Sequence, residues 1–501
     1  MEMILSRLLS QALHCYHNRT ALRVGDQTWT YRQLDQLSDA LAAGLQDRGV
    51  SAGDCVALYL RNCAEYVIAD LALLKLGAIK VPLNEYQSQL DVLYILENTG
   101  ANTMIAHQSL LSKLDEKFVT ERTFPLLVCV ADEEFGECEL PHLDWGELQT
   151  TRDFSRGTCA ATDTALIAYT GGTTGRPKGV VHTQSSLAVN LFAHIVAGEI
   201  SASDVMMLMT PLPHSAGYHM QACLLQGGQV ILKDHFDPAR FYVDIERYLV
   251  TWTFLVPTMI YRLLDHPDAD GHDHSSLRTI VYGAAPMSTT RLEQAIKRFG
   301  YAFIQLYGQT ECPNFISALT KQDHRNPGLH GSCGKAVPFV ELATTGEGHT
   351  GIGEVVVRSP YLLKEYYHNA EATAESIRDG WLQTGDVGFI DDDGYLFLKD
   401  RAKDMIISGG MNVYSNEVEQ TLKKHPSVAD AAVVGLPDED WGERVHAVVI
   451  RRNDVDAEEL LDLCREDLSR YKVPKSIEFR HELPLTAYGK VDKKALRKNS
   501  T

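Results

Sequence analysis

The stretch Cys55-Val-Ala-Leu-Tyr-Leu-Arg-Asn-Cys-Ala-Glu-Tyr-Val-Ile-Ala-Asp-Leu-Ala-Leu-Leu-Lys-Leu-Gly-Ala-Ile-Lys-Val81 decides the fold. Cys55 to Leu60 is an apolar run of strand length, and Ala64 to Leu76 is a longer apolar segment of helix length that Gly77 ends. Ile79 to Val81 reads as the next strand. A strand, a crossover helix and a second strand form a βαβ unit, which needs a parallel sheet with helices on its faces. Upstream, Leu34, Leu37, Leu41 and Leu45 make a helical stripe that Thr30 can cap and Gly49 can stop. Downstream the alternation recurs at 94–106 and at 241–282. The expectation is α/β: a large N-terminal doubly wound body.

The texture changes at Asp391-Asp-Asp-Gly394, where a turn leads into a short β-like segment, 395–399, and then Asp400-Arg401. The expected boundary lies there, giving a large N-terminal body at 1–399 and a smaller α+β cap at 400–501. The cap reads as a helix (415–424), strands (428–434 and 444–450), a helix (457–470) and a basic tail.

With 501 residues, the chain is too long for one core. Its formal charge of −19 disfavours non-specific binding to nucleic acid or anionic membrane. Ten scattered cysteines include no CxxC pair, which fits reduced thiols in a cytoplasm. The first residues lack a basic leader with an apolar stretch, and no apolar run is long enough to insert into a membrane. The expectation is an unexported protein.

The sharpest chemical feature is Tyr169-Thr-Gly-Gly-Thr-Thr-Gly-Arg-Pro-Lys-Gly179, after the apolar 165–168. Its glycines let backbone N–H groups approach phosphate oxygens, its hydroxyls add donors, and Lys178 adds charge. The spacing is not that of a Walker A loop. The segment resembles the signature loop of the adenylate-forming superfamily of acyl- and aryl-CoA ligases, luciferases and peptide-synthetase adenylation domains.

Further segments resemble the family's motifs in the family's order. Gln305-Leu-Tyr-Gly-Gln-Thr-Glu311 is similar to its second signature. There the resemblance implies that Tyr307 stacks on adenine, Thr310 meets the α-phosphate, and Glu311 binds Mg2+ with help from Thr170. Trp381-Leu-Gln-Thr-Gly-Asp386 resembles the ribose motif, with Asp386 on the hydroxyls. Asp400-Arg-Ala-Lys-Asp-Met-Ile-Ile-Ser-Gly-Gly410 resembles the hinge, with Arg401 at the ribose and Lys403 at the pivot. Leu485-Thr-Ala-Tyr-Gly-Lys490 resembles the loop that carries the mobile catalytic lysine. Tyr282-Gly-Ala-Ala-Pro286 and Pro211-Leu-Pro-His214 are similar to the adenine strand end and the gate of the acyl pocket.

What the resemblance implies is activation of a small carboxylic acid by ATP and Mg2+, then thioester formation with coenzyme A. The catalytic residues would be Lys490, Thr310, Glu311 and His214. Nucleotide and phosphate contacts would come from Thr170, Gly171, Gly172, Thr173, Thr174, Gly175 and Lys178. Gly283, Ala284, Ala285, Gln305, Tyr307, Asp386 and Arg401 would complete them. Lys403, Gly409 and Gly410 would serve the cap's rotation and the thiol's approach. Trp441, Tyr471 and Lys475 would meet the nucleotide of CoA, within a tail that holds ten Lys or Arg against six Asp or Glu over residues 461–501.

The acyl pocket would be lined by His214, Gly217, Tyr218, His219, Gly308 and Pro313, without the aspartate that amino-acid adenylation domains use. That favours an aromatic or medium-length acid, and His219 is the residue expected to meet a polar substituent or to be a satisfied core histidine. Gln309, Cys312 and Ser415 depart from the family's usual residues there. The alternatives are transfer to an acyl carrier protein's phosphopantetheine and a luciferase-like oxygenase. A homodimer is compatible with all three.

Overall fold

In the computed structural model the described residues are 2–112, 114, 126–131, 142–148, 154, 157–170, 176–267, 271–346, 351–408, 410–438, 440–486 and 491–499. The deciding stretch folds as read. Strand Cys55–Tyr59 leads into helix Ala64–Leu76, which Gly77 stops in the left-handed conformation, and strand Ile79–Pro82 returns parallel to the first. The helix is apolar all round and is buried over nearly its whole length, as such a helix must be. Its two buried charges are paired. Asp70 accepts from Lys80 at 2.5 Å and from Gln221 at 2.7 Å, and Lys75 reaches Asp35 and Asp39 at 2.6 and 2.8 Å. Thr30 caps helix Tyr31–Asp47 through a reciprocal box with Gln33.

Among the described residues the chain builds sheets of nine, eight, five and five strands. The nine- and eight-stranded sheets are parallel through their middles, with antiparallel strands at their edges. One apolar core joins these two sheets to the first five-stranded sheet, running from Leu5 to Leu396. That third sheet contains Trp381–Ile390 paired antiparallel with Leu396–Arg401. The latter strand therefore extends across the expected cut at 399/400, and Asp400 and Arg401 are laddered onto the body.

The last sheet begins at Ile406 and has cores of its own, built only from residues 406–496. A separate C-terminal domain is the physical consequence. Its helices, Ser415–Leu422 and Ala457–Asp467, are shorter than expected. The basic tail holds a strand, Ser476–Arg480, and a helix, Lys493–Asn499. No helix among the described residues is long and apolar enough to cross a membrane.

Candidate active site

Strands Thr279–Gly283 and Phe303–Gln309 are parallel neighbours, and both run out into motif residues at their carboxyl ends. Open α/β sheets bind ligands at that edge. Gly283 and Gly308 are required by close packing: a Cβ would lie 2.4 Å from the Leu306 carbonyl oxygen in the first case and 2.5 Å from the Asn314 backbone in the second. Ala284, just past the strand, has φ +66° and is exposed, a conformation costing roughly 1–3 kcal/mol for a non-glycine residue and typical of sites.

Tyr307 is buried, and its hydroxyl donates to Asp386 Oδ2 at 2.6 Å. Arg401 Nε meets the other oxygen of Asp386 at 2.6 Å, and the two residues are cross-strand partners. Both carboxylate oxygens are thus fixed, yet each keeps a second lone pair for an incoming hydroxyl. Burial first, then the charge of Asp386, raises the Tyr307 pKa, so its phenol stays a donor. Gln305 lies beside Tyr282, whose hydroxyl is 3.4 Å from its Oε1. The Lys403 residue is exposed, and desolvation of its ammonium, then the neighbouring Arg401 charge, lowers its pKa.

The glycine-threonine segment joins two antiparallel strands, Thr164–Thr170 and Lys178–Thr183, with Tyr169 opposite Gly179 and Thr170 opposite Lys178. Gly171, Gly172, Thr173, Thr174 and Gly175 lie outside the described residues, as do Gly409 and Lys490. The flanks are informative. Lys178 pairs with no carboxylate among the described residues, and its ammonium lies 4.9 Å from the centroid of the Tyr366 ring. The Tyr366 hydroxyl donates to Glu311 Oε1 at 2.7 Å, and burial with the Glu311 charge raises its pKa.

From the same hairpin, His182 Nε2 is 2.8 Å from the carbonyl of Thr310, while burial brings its pKa down to about 4. Neutral His182 therefore donates to that carbonyl and holds the Thr310 backbone. The hairpin thus carries Lys178 and holds Thr310 through His182, while Tyr366, on the strand paired with Lys178–Thr183, holds Glu311.

No group of three or more His, Cys, Asp or Glu set to hold a metal occurs among the described residues. A lone carboxylate such as Glu311 fits Mg2+, which keeps waters and takes other ligands from phosphates. Tyr366 and His182, which bond to the motif residues Glu311 and Thr310, were not singled out in the sequence. Tyr366 sits in an ordinary Glu-Tyr-Tyr string with no local signal, and both act through contacts between distant segments.

On the acyl side, His214 Nε2 hydrogen-bonds with Asn84 Nδ2, and Gly217 and Tyr218 open helix Gly217–Gln226. His219, expected to meet a substituent or to sit in the core, is fully buried among Trp252, Phe254 and His194. Asn314, another residue not singled out in the sequence, adopts φ +61°. It bonds to His194 and Ser215 beside Pro313.

In the C-terminal domain, Trp441 and Lys475 lie together, with the lysine ammonium 4.7 Å from the indole centroid. Tyr471 packs partly on that domain's core. Ser415, the departure from proline, has a stated use. Its N–H and hydroxyl both donate to Asp400 Oδ2, at 2.5 and 2.7 Å, and proline has no N–H to give.

The family profile described as AMP-binding enzyme matches residues 9–367, and that described as AMP-binding enzyme C-terminal domain matches 417–490. The chain is 34% identical to a medium/long-chain-fatty-acid–CoA ligase of Mycobacterium tuberculosis, over 98% of this chain and 89% of that protein. It is 36% identical to a feruloyl-CoA synthase of Amycolatopsis sp, over 96% and 95%. The solved amide bond synthetase of Marinactinospora thermotolerans superposes with a TM-score of 0.89 at 31% identity, covering 99% of each chain.

Proposed function

The chain belongs to the AMP-binding enzyme family, and on that premise we propose how its residues share the work of the reaction. It is an AMP-forming acid–thiol ligase that uses ATP, Mg2+ and coenzyme A. The acid's carboxylate oxygen attacks the α-phosphorus, the bond to the bridging oxygen breaks, and pyrophosphate leaves. The CoA sulfur then takes the acyl carbon, and AMP departs with the C–O bond's electrons.

Tyr307, Gly283, Ala284, Ala285 and Gln305 take the adenine, and Asp386 with Arg401 takes the ribose hydroxyls. Thr170, Gly171, Gly172, Thr173, Thr174, Gly175, Lys178 and Thr310 hold the phosphates. Glu311 and Thr170 hold Mg2+, which when bound neutralises phosphate charge. Lys490 offsets the negative charge that develops during attack. The hinge segment that opens at Asp400 carries the cap, which turns about Lys403 and brings Gly409 and Gly410 to the thiol. Trp441, Tyr471 and Lys475 meet the nucleotide of CoA. His214, Gly217, Tyr218, His219, Gly308 and Pro313 bound the acid, an aromatic or medium-length one.

The observation that carries this reading is the Tyr307–Asp386–Arg401 line at the strand ends, with Lys178 and Glu311 joined through Tyr366. The nine described cysteines are free thiols, which supports a cytoplasmic setting.

The test is pyrophosphate release with a panel of aromatic and aliphatic acids, and product identification with CoA, a phosphopantetheinylated carrier protein or an amine as acceptor. Acid-dependent release with CoA thioester as the main product is expected. Equal or greater yield on the carrier protein or the amine would overturn CoA as the acceptor.

A further inference from the structure

Behind the strand end assigned to the adenine runs a buried line of polar groups. The Tyr282 hydroxyl lies 3.0 Å from His324 Nε2, and His324 Nδ1 lies 2.7 Å from the Thr320 carbonyl oxygen. Tyr282 and His324 are each 1% exposed. On the other side of Tyr282 is the partly exposed amide of Gln305, with Oε1 3.4 Å from the hydroxyl and Nε2 3.8 Å from Cys333 Sγ. Strands Thr279–Gly283 and Phe303–Gln309 bring Tyr282 and Gln305 together as cross-strand partners, and the short turn of helix Asp323–Arg325 supplies His324.

The direction of the protons along this line follows from its far end. A carbonyl only accepts, so His324 carries its proton on Nδ1. Burial brings the His324 pKa down to about 4, so the ring is neutral and Nε2 is left as an acceptor. The Tyr282 hydroxyl therefore spends its one proton on Nε2 and offers Gln305 only an acceptor. Two acceptors do not bond, so the Gln305 amide turns over: its NH2 faces the Tyr282 oxygen and its Oε1 faces Cys333. Burial, then the Asp386 charge, pushes the Cys333 thiol up to about 12, so it keeps its proton and gives it to Oε1. One N–H and one carbonyl lone pair of Gln305 remain for a further partner. They match the edge of adenine, an amino group beside a ring-nitrogen acceptor, and not that of hypoxanthine, which carries a carbonyl in place of the amino group.

We propose, on the adenylation reading above, that His324 and Tyr282 are positioning residues for the nucleobase. By fixing which end of the Gln305 amide faces which way, they set the preference for a 6-amino purine over a 6-oxo purine. Neither touches the nucleotide; Gln305 reads the base, and the buried pair behind it decides what Gln305 can read. A freely turning amide would present its NH2 to a carbonyl as readily as its oxygen to an amine.

The experiment measures kcat/KM for ATP and for inosine triphosphate, by acid-dependent pyrophosphate release, in wild type, Tyr282→Phe, His324→Phe and His324→Gln, with melting temperature reporting folding. Wild type is expected to favour ATP by roughly tenfold to 100-fold, the discrimination of a good bidentate contact. Tyr282→Phe and His324→Phe should lower that ratio about tenfold, chiefly through KM, whereas His324→Gln, whose carbonyl can accept from Tyr282, should keep it. A merely structural role would lower the melting temperature and leave the ratio where it was. An unchanged ratio in folded Tyr282→Phe overturns the proposal, and so does equal use of the two nucleotides by wild type. If the variants do not fold, the wild-type ratio gives the decision. If no acid drives pyrophosphate release with ATP, the adenylation reading fails; if ATP is used and the ratio does not move, only the positioning role fails.

Discussion

Two regions of the body, the polar wall at the strand ends around Asp386 and the ring cluster around His219, are built from different elements and by opposite means. The wall is a set of polar side chains that keep lone pairs for a further partner: Asp386, paired with both Tyr307 and Arg401, and Glu311 beneath Tyr366. The ring cluster is closed, with His194, Asn314 and Ser215 bonding one another and rings filling the rest. Open polar groups suit a ligand, whereas closed packing suits stability. Wall variants should therefore change nucleotide parameters for every acid, and ring-cluster variants should change the melting temperature.

The largest effect should come from Asp386→Ala. It removes the partner of both Tyr307 and Arg401 and leaves a buried phenol unsatisfied. Hydrogen bonds to charged groups contribute about 1.5–3 kcal/mol each, so kcat/KM for ATP should fall roughly 100-fold, uniformly across acids. A loss that varied with the acid would break the assignment of this wall to the nucleotide.

Next is Tyr366→Phe, which strips the hydroxyl from Glu311 without touching any phosphate. Partners of metal ligands typically matter 10–100-fold for metal affinity. The Mg2+ concentration for half-maximal rate should rise about tenfold, and Mg2+ titration of the rate checks it.

Trp441→Ala should raise KM for CoA by about fivefold, within the range of stacking energies. The effect should be confined to the thioester step, as acid-dependent ATP–pyrophosphate exchange would report.

Acid pH should weaken the whole body modestly. Burial lowers His182, His194 and His324 from 6.5 to about 4. Between those values the unfolded chain binds protons that the folded one refuses, so stability is full above 6.5 and declines as pH drops toward 4. Melting temperatures across that range check the sign.

Ser415→Pro should leave the chemistry nearly unchanged and act on cap stability: it deletes one N–H and one hydroxyl donor to the Asp400 carboxylate, bonds of about 1.5–3 kcal/mol each, and melting temperature reads the loss.

How much of this was legible follows from the same contrast. The βαβ stretch was readable because Ala64–Leu76 is apolar all round and Gly77 stops it, both local signals. The residues proposed for the wall stand out because they fall in compact strings, and Trp441 and Lys475 were each expected at the nucleotide of CoA. Tyr366 and His182 gave no such signal, because each acts on a motif residue far away in sequence. Of the ring cluster only His219 was singled out, as a residue that meets a substituent or sits in the core, because His194, Trp252, Asn314 and Phe315 join it only through packing of four elements. Past the turn-rich stretch, pairing with Trp381–Ile390 keeps strand Leu396–Arg401 on the body's sheet, a long-range contact that local sequence does not signal.

The account stands on two lobes meeting at a single nucleotide, and acid-dependent exchange of labelled pyrophosphate into ATP, measured on wild type and Lys490→Ala, tests it most directly. Exchange by the wild type, falling in Lys490→Ala by roughly 100-fold or more with ATP still bound, is the predicted result. Exchange at equal rates in the two proteins would contradict it.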